Sequence, residues 1–211
     1  MLLSPSNGYR PLHPFTHLIW LLVESKAFEN ASRLGGDPKK IFAFGSSSGG
    51  GLALATARKI KLSQTGLAPD TVKGIVALTP VTIHPEAVSQ REEHQSMQEN
   101  EKGVPLVDKA AMLTFHEAAG LDAGDKDYFV LLDRDAHRLF PPTYLATCEF
   151  DPLRDDGIVL AEDLKSAGVP VRRDHYEGMP HVFFNVPVLP EMSGSFIENT
   201  VNGIKWILTQ L

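Results

Sequence analysis

The sequence predicts an α/β fold: a mainly parallel sheet with helices covering both faces. Three observations lead there. Short apolar, β-branched runs alternate along the chain with stretches of helical apolar spacing. The stretches between successive strands are long enough to cross over and return parallel. And the run Ile41–Phe42–Ala43–Phe44 passes through the glycine-bracketed serines Gly45–Ser46–Ser47–Ser48–Gly49 straight into the helix formers Leu52–Ala53–Leu54–Ala55. At 211 residues the chain is expected to form one domain over its whole length, 1–211, with a sizeable core.

In chain order, Met1–Ser4 reads as the end of a strand, and Pro5–Pro14 is turn-rich. From Phe15 to about Leu34 apolar residues recur at helical spacing until Gly35–Gly36–Asp37–Pro38 stops them. The strand–serine–helix unit follows, and Val72–Leu78 is a second strand. After Pro80 the composition turns polar through Glu86–Lys102, and Lys109–Ala119 reads as an amphipathic helix. We read residues 83–135 as a lid-like insertion lying over the sheet. A third strand is expected at Thr143–Cys148, a helix at Asp156–Lys165, a fourth strand at Val169–Tyr176 and a closing helix at Ser195–Gln210.

Composition excludes several classes of function. The net charge is −6 and no basic stripe exists, so nucleic acid is not an expected partner. The longest apolar run, Leu18–Val23, is too short to span a membrane. The single cysteine, Cys148, excludes an intrachain disulfide and reads as a buried thiol. No charged, hydrophobic leader is visible at Met1, so a cytoplasmic location is expected. No His/Cys/Asp group has metal-ligand spacing and no dinucleotide or phosphate-binding glycine motif appears, so neither metal nor cofactor is expected.

In sheets of this kind reactive groups gather beyond the carboxyl ends of the strands. Ser47 follows the first full strand, Asp151 the third and His181 the fourth. A serine hydroxyl needs an imidazole to take its proton, and the imidazole needs a carboxylate to fix its tautomer. Gly45 and Gly49 flank Ser47 at a spacing that lets a strand turn sharply into a helix, and the backbone N–H of Ser48 would then face a developing oxyanion. Plainer alternatives stand beside each assignment. The serine cluster could be an ordinary loop, Asp151 a helix N-cap and His181 one of eight loop histidines. Glu149, Asp155 and Asp156 compete for the acid role but read better as first-turn or surface charges.

With these residues in place the chain resembles the hormone-sensitive-lipase-like group of α/β-hydrolases, the fold-3 carboxylesterases. Gly45-Ser46-Ser47-Ser48-Gly49-Gly50 is similar to that group's Gly-Asp-Ser-Ala-Gly-Gly elbow. Asp151-Pro152-Leu153-Arg154-Asp155-Asp156-Gly157 resembles its Asp-Pro-Leu-Arg-Asp-Glu-Gly block, and Gly178-Met179-Pro180-His181-Val182-Phe183 its Gly-x-x-His-x-Phe block. Tyr9–Phe15 resembles its Tyr-Arg-Leu-Ala-Pro-Glu-His-Pro-Phe stretch in shortened form. The resemblance implies hydrolysis of small-molecule carboxylic esters with short or medium acyl groups, through an acyl-enzyme on Ser47 and without a cofactor.

The group's His-Gly-Gly-Gly oxyanion loop belongs upstream of the Tyr-Arg stretch and is missing, as though the chain were truncated at its N-terminus. Loss of one oxyanion donor costs about 10²–10³ in turnover, so weakened activity is expected. Ile41–Phe44 would become an open edge: either Met1–Ser4 slides in to pair with it, or an edge-strand partner or a second copy in a homo-oligomer supplies the edge, or the chain is a marginally stable fragment. Two other readings remain: a pocket-bearing module without turnover, and an acyl-transfer or cyclising enzyme acting on a natural-product intermediate.

Overall fold

The computed structural model describes residue 26 and residues 28–186 and 190–211. Four strands, β1 (Ile41–Ser46), β2 (Val72–Leu78), β3 (Thr143–Phe150) and β4 (Val171–Pro180), form one sheet in the order β1-β2-β3-β4, every neighbouring pair parallel. The period-2 alternation of a strand decides which side chains meet which layer. Ile75, Ala77 and Leu145 face the layer of helices α1 (Ser48–Lys61) and α3 (Arg154–Ser166), where Leu54, Ile60, Leu160 and Leu164 are fully buried. Val76, Leu78, Tyr144 and Ala146 face the other way, against Phe196 and Ile207 of α4 (Pro190–Leu208). Each large aliphatic side chain withdrawn from water in this way contributes about 1.5–3 kcal/mol, so the two-sided pattern fixes which face each helix covers.

Close approach fixes it further. A Cβ at Gly203 would stand 2.4 Å from the Tyr144 ring, and one at Gly157 would stand 2.5 Å from a Thr147 methyl. Both glycines let a helix lie directly on β3.

The elements reach further than the sequence predicts. β3 and β4 continue to Phe150 and Pro180, and α4 begins at Pro190. Residues 28–30 are helical, Ser32–Leu34 is a 3-10 turn, and Gly35 stops it at φ 80°, as the glycine pair predicted. Met1–Ser4, the Tyr9–Phe15 stretch and most of the helix expected from Phe15 lie outside the described residues. Among the described residues β1 is an outer strand paired only with β2, so the expectation about its other edge falls on residues not described.

Residues 83–135 add no strand. They carry 3-10 turns at Pro85–Gln90 and Val130–Leu132, a short helical turn at Ser96–Glu99, and helix α2 (Lys109–Ala119), capped by Asp108 accepting from the Ala111 N–H at 2.9 Å. Ile83, Met97, Met112, Phe129 and Leu131 from this segment belong to the same buried cluster as α1. No helix among the described residues is long and apolar enough to cross a membrane.

Candidate active site

The corner between β1 and α1 is built by close backbone contact. Ser47 sits at φ 53°, ψ −125°, a conformation that side-chain-bearing residues rarely adopt. Three backbone hydrogen bonds hold it there. Its N–H donates to Leu78 O at 2.8 Å, while its carbonyl accepts from Gly51 N–H at 3.1 Å and Val81 N–H at 3.2 Å.

The glycines do unequal work. A Cβ at Gly45 would lie 2.1 Å from Gly49 O, and one at Gly51 would lie 2.3 Å from Val81 O. A Cβ at Gly49 would meet nothing within 4 Å. The crossing therefore demands glycine at 45 and at 51, and not at 49 as the symmetric spacing suggests. Helix α1 accepts Gly50 and Gly51 in its first turn, at about 1 kcal/mol each against alanine, because it must pass so close to residues 80 and 81.

Asp151 and His181 reach the same corner from their own strand ends. His181 Nε2 lies 2.9 Å from Ser47 Oγ, and His181 Nδ1 lies 2.8 Å from Asp151 Oδ2. Asp151 is fully buried and His181 2% exposed. The other carboxylate oxygen of Asp151 accepts from the Leu153 N–H at 2.8 Å, which fixes its rotation. Asp151 is therefore not an N-cap: Leu153 holds that position, without a side-chain bond. Behind His181, Val182 is left-handed at φ 49°, and Phe183 is fully buried between Tyr176 and Phe196, with ring centroids at 5.2 and 5.5 Å. Ser48 opens α1, whose leading N–H groups have no acceptor within the helix.

Asp155 and Asp156 stand in the first turn of α3, as the sequence suggests, but not at the surface. They are 5% and 0% exposed and tie residues 82–96 to the acid loop. Asp156 accepts from Thr82 N–H at 2.6 Å and Ile83 N–H at 3.1 Å with one oxygen, and lies 2.7 Å from His94 Nε2 with the other. Asp155 accepts from the N–H groups of Gln95 and Ser96, each at 2.7 Å. Ser96 Oγ donates to Pro152 O at 2.8 Å, and Asn100 donates to Asp151 O at 3.3 Å. Within the polar run, His94, Ser96 and Asn100 are thus buried ties, while Glu92, Glu93, Gln98 and Glu99 stay exposed. His84, His94, His116 and His137, grouped above with loop histidines, are all buried; His13 and His17 lie outside the described residues.

A cavity of about 410 Å³ opens beside Ser47 and Ser48, walled by Val81, Met112, His116 and Tyr128 among others. Met112, Phe115, His116 and Ala119 come from one face of α2, at the i, i+3, i+4, i+7 spacing that the sequence displays. That spacing was the available signal for His116. Burial, with the neighbouring His84 adding to it, pushes the His116 pKa down to about 4, so the ring is neutral near pH 7. Among the described residues no group of three or more His, Cys, Asp or Glu side chains could hold a metal ion.

A parallel sheet with a serine raised on a strained strand-to-helix corner, facing an imidazole and a carboxylate from later strand ends, defines the α/β-hydrolase class. The sequence profile of the alpha/beta hydrolase fold family matches residues 17–185, and the chain belongs to that family. It is 48% identical over 193 residues to the versiconal hemiacetal acetate esterase of Dothistroma septosporum, covering 90% of this chain and 58% of that protein. To the carboxylesterase NlhH of Mycobacterium tuberculosis it is 32% identical over 176 residues, covering 79% of this chain and 51% of the relative. Among solved structures, vibralactone cyclase superposes with a TM-score of 0.80 at 28% identity, covering 99% of this chain and 60% of that one. The metagenomic carboxylesterase EstE1 gives the same TM-score at 23% identity, a likeness of fold, covering 98% of this chain and 67% of its own. The chain thus spans between about half and two thirds of the length of these relatives.

Proposed function

We propose that this chain carries the catalytic core of a serine carboxylesterase, with Ser47 as nucleophile, His181 as general base and acid, and Asp151 as the group that orients and stabilises the imidazole. The observation that carries the reading is the unbroken line from Asp151 Oδ2 through His181 to Ser47 Oγ, at 2.8 and 2.9 Å. In it the Ser47 O–H donates to Nε2 and the Nδ1–H donates to Asp151. As Ser47 Oγ attacks an ester carbonyl, its proton passes to Nε2. The Ser48 N–H faces the oxygen that gains charge, and Nε2–H then protonates the departing alkoxide. Water, activated by the same imidazole, releases the acid from the acyl-enzyme. The chain's own side chains supply nucleophile, base and orienting acid, so the mechanism calls for no cofactor.

Several further points support this assignment. The relatives from Dothistroma septosporum and Mycobacterium tuberculosis are both named as esterases. The cavity beside Ser47 has the size and apolar lining for a small ester with a short or medium acyl group. Residues 83–135 act in this reading as the cap that shapes the cavity, within a single α/β-hydrolase domain. A second reading, transfer of the acyl group to a nucleophile of the same substrate instead of to water, draws on the 28% identity to a cyclase.

The test is labelling by a fluorophosphonate probe together with hydrolysis of p-nitrophenyl butyrate. Ser47→Ala should abolish labelling and reduce turnover by at least about 10⁴-fold. A folded protein that is never labelled would favour a pocket-bearing module without turnover.

A further inference from the structure

We propose that His116 is a specificity-determining residue that hydrogen-bonds a hydroxyl group carried on the apolar, aryl-sized body of the ester bound beside Ser47. The inference rests on the cavity beside Ser47 being the substrate site, and so deepens the reading above.

The starting observation is a deficit. Both ring nitrogens of His116 are buried and neither has a hydrogen-bond partner among the described residues, although the residue is only 4% exposed. Buried polar groups in folded proteins nearly always find partners, and an unmet one is costly. The surroundings offer His116 none. Its ring lies edge-on to His84, with centroids 4.7 Å apart, and is tilted over Phe129 at 5.7 Å. Met112, Phe115, Leu121 and Val81 line the same cavity.

His84 cannot be relieved in the same way, because its Nδ1 already accepts from the Glu86 N–H at 3.2 Å and so carries no proton. That bond holds the His84 ring in place against His116, whereas both ring nitrogens of His116 lack a partner among the described residues. The terminal torsion of a histidine is soft, so rotation of the ring about it can bring a nitrogen to the cavity that His116 lines.

The chemistry of the missing partner follows from the state of the ring. A neutral imidazole has one N–H donor and one lone-pair acceptor, and burial keeps His116 neutral near pH 7. An anion would find no positive charge, and a carbonyl could pair only with the N–H. A hydroxyl both donates and accepts, and therefore fits either tautomer. Away from Ser47 and Ser48 the cavity is walled mainly by aliphatic and aromatic side chains (Val81, Met112, Phe115, Leu121 and Tyr128), which suit a flat apolar body. A hydroxylated aryl ester meets both demands, and a purely apolar one leaves the imidazole unpaired.

Two measurements on the full chain test this. The first compares kcat/KM for 3-hydroxyphenyl acetate and 3-methylphenyl acetate, which differ by hydroxyl against methyl. The wild type should favour the hydroxyl ester by about tenfold or more. His116→Phe should erase that ratio, the hydroxyl ester losing about tenfold more kcat/KM than the methyl ester. An equal loss on both esters, or an unchanged ratio, overturns the proposal. The second reads the cavity without turnover: binding of 2-naphthol and 2-methylnaphthalene followed by their fluorescence. The wild type should bind 2-naphthol about tenfold more tightly than its methyl counterpart, and His116→Phe should bind the two alike. Naphthol selectivity in a chain that hydrolyses no ester would sink the esterase reading alone; ester hydrolysis without hydroxyl selectivity would sink this inference alone.

Discussion

Two regions flank the serine and treat buried polarity in opposite ways. On one side, the acid loop Asp151–Asp156 buries three carboxylates, and all six of their oxygens have partners: backbone N–H groups, the Thr82 hydroxyl, Arg154, His94 and His181. On the other side, the wall supplied by α2 buries His116 with both nitrogens unmet among the described residues. The first arrangement holds segments that are far apart in sequence in one geometry. The second holds nothing together, and its polarity is useful only to a visiting molecule. The difference teaches where stability and where selectivity reside, since satisfied buried polar groups anchor a fold and unsatisfied ones are tolerated at functional sites.

The sharpest way to break the contrast is at Asp156. Asp156→Ala strips the partners from Thr82 N–H, Ile83 N–H and His94 together. Removing one member of a buried pair costs about 3–5 kcal/mol, and urea denaturation should show a loss of that size, with the cavity wall loosened as a consequence.

A smaller effect is expected with pH. Burial opposes a charge on His94, yet the hydrogen bond and charge of Asp156, aided by Asp155, outweigh it and hold the His94 pKa above its ordinary value of 6.5. A pKa raised by folding gives stabilisation that is complete below the unfolded value and lost as pH climbs through the folded one. The stability gap between wild type and His94→Gln should therefore be wider at pH 6 than at pH 9. A gap that widens with rising pH would contradict the pairing.

The smallest effect should be at the cavity wall. Replacing a buried, unpaired polar side chain by an apolar one is neutral or stabilising, so His116→Leu should leave stability unchanged or raise it by about 1 kcal/mol. Destabilisation as large as that of Asp156→Ala would show that His116 has a structural partner after all, and would erase the contrast.

Much of this was legible in the chain. The glycine-bracketed serine between an apolar strand and a helix, and the order Ser47, Asp151, His181 at strand ends, are local patterns, and local patterns survive without coordinates. The buried partners of residues 82–100 were not legible. Asp155 and Asp156 are first-turn charges of α3, as their sequence neighbourhood suggests, but nothing nearby in the chain shows that Thr82 and Ser96 fold back over them. Gly49 looks as necessary as Gly45 because sequence spacing is symmetric, whereas the approach of the two backbones is not.

The sequence by itself determined the strands and helices, the two-sided burial of the sheet and the residue types at its carboxyl ends, because side-chain periodicity and turn chemistry act over a few residues. Only the tertiary structure decided which acids are buried, which glycine the corner requires and which histidine is left without a partner. Those outcomes depend on contacts between residues as much as 74 positions apart, as between Thr82 and Asp156, and distance along the chain carries no record of what will stand opposite a group once it is removed from water.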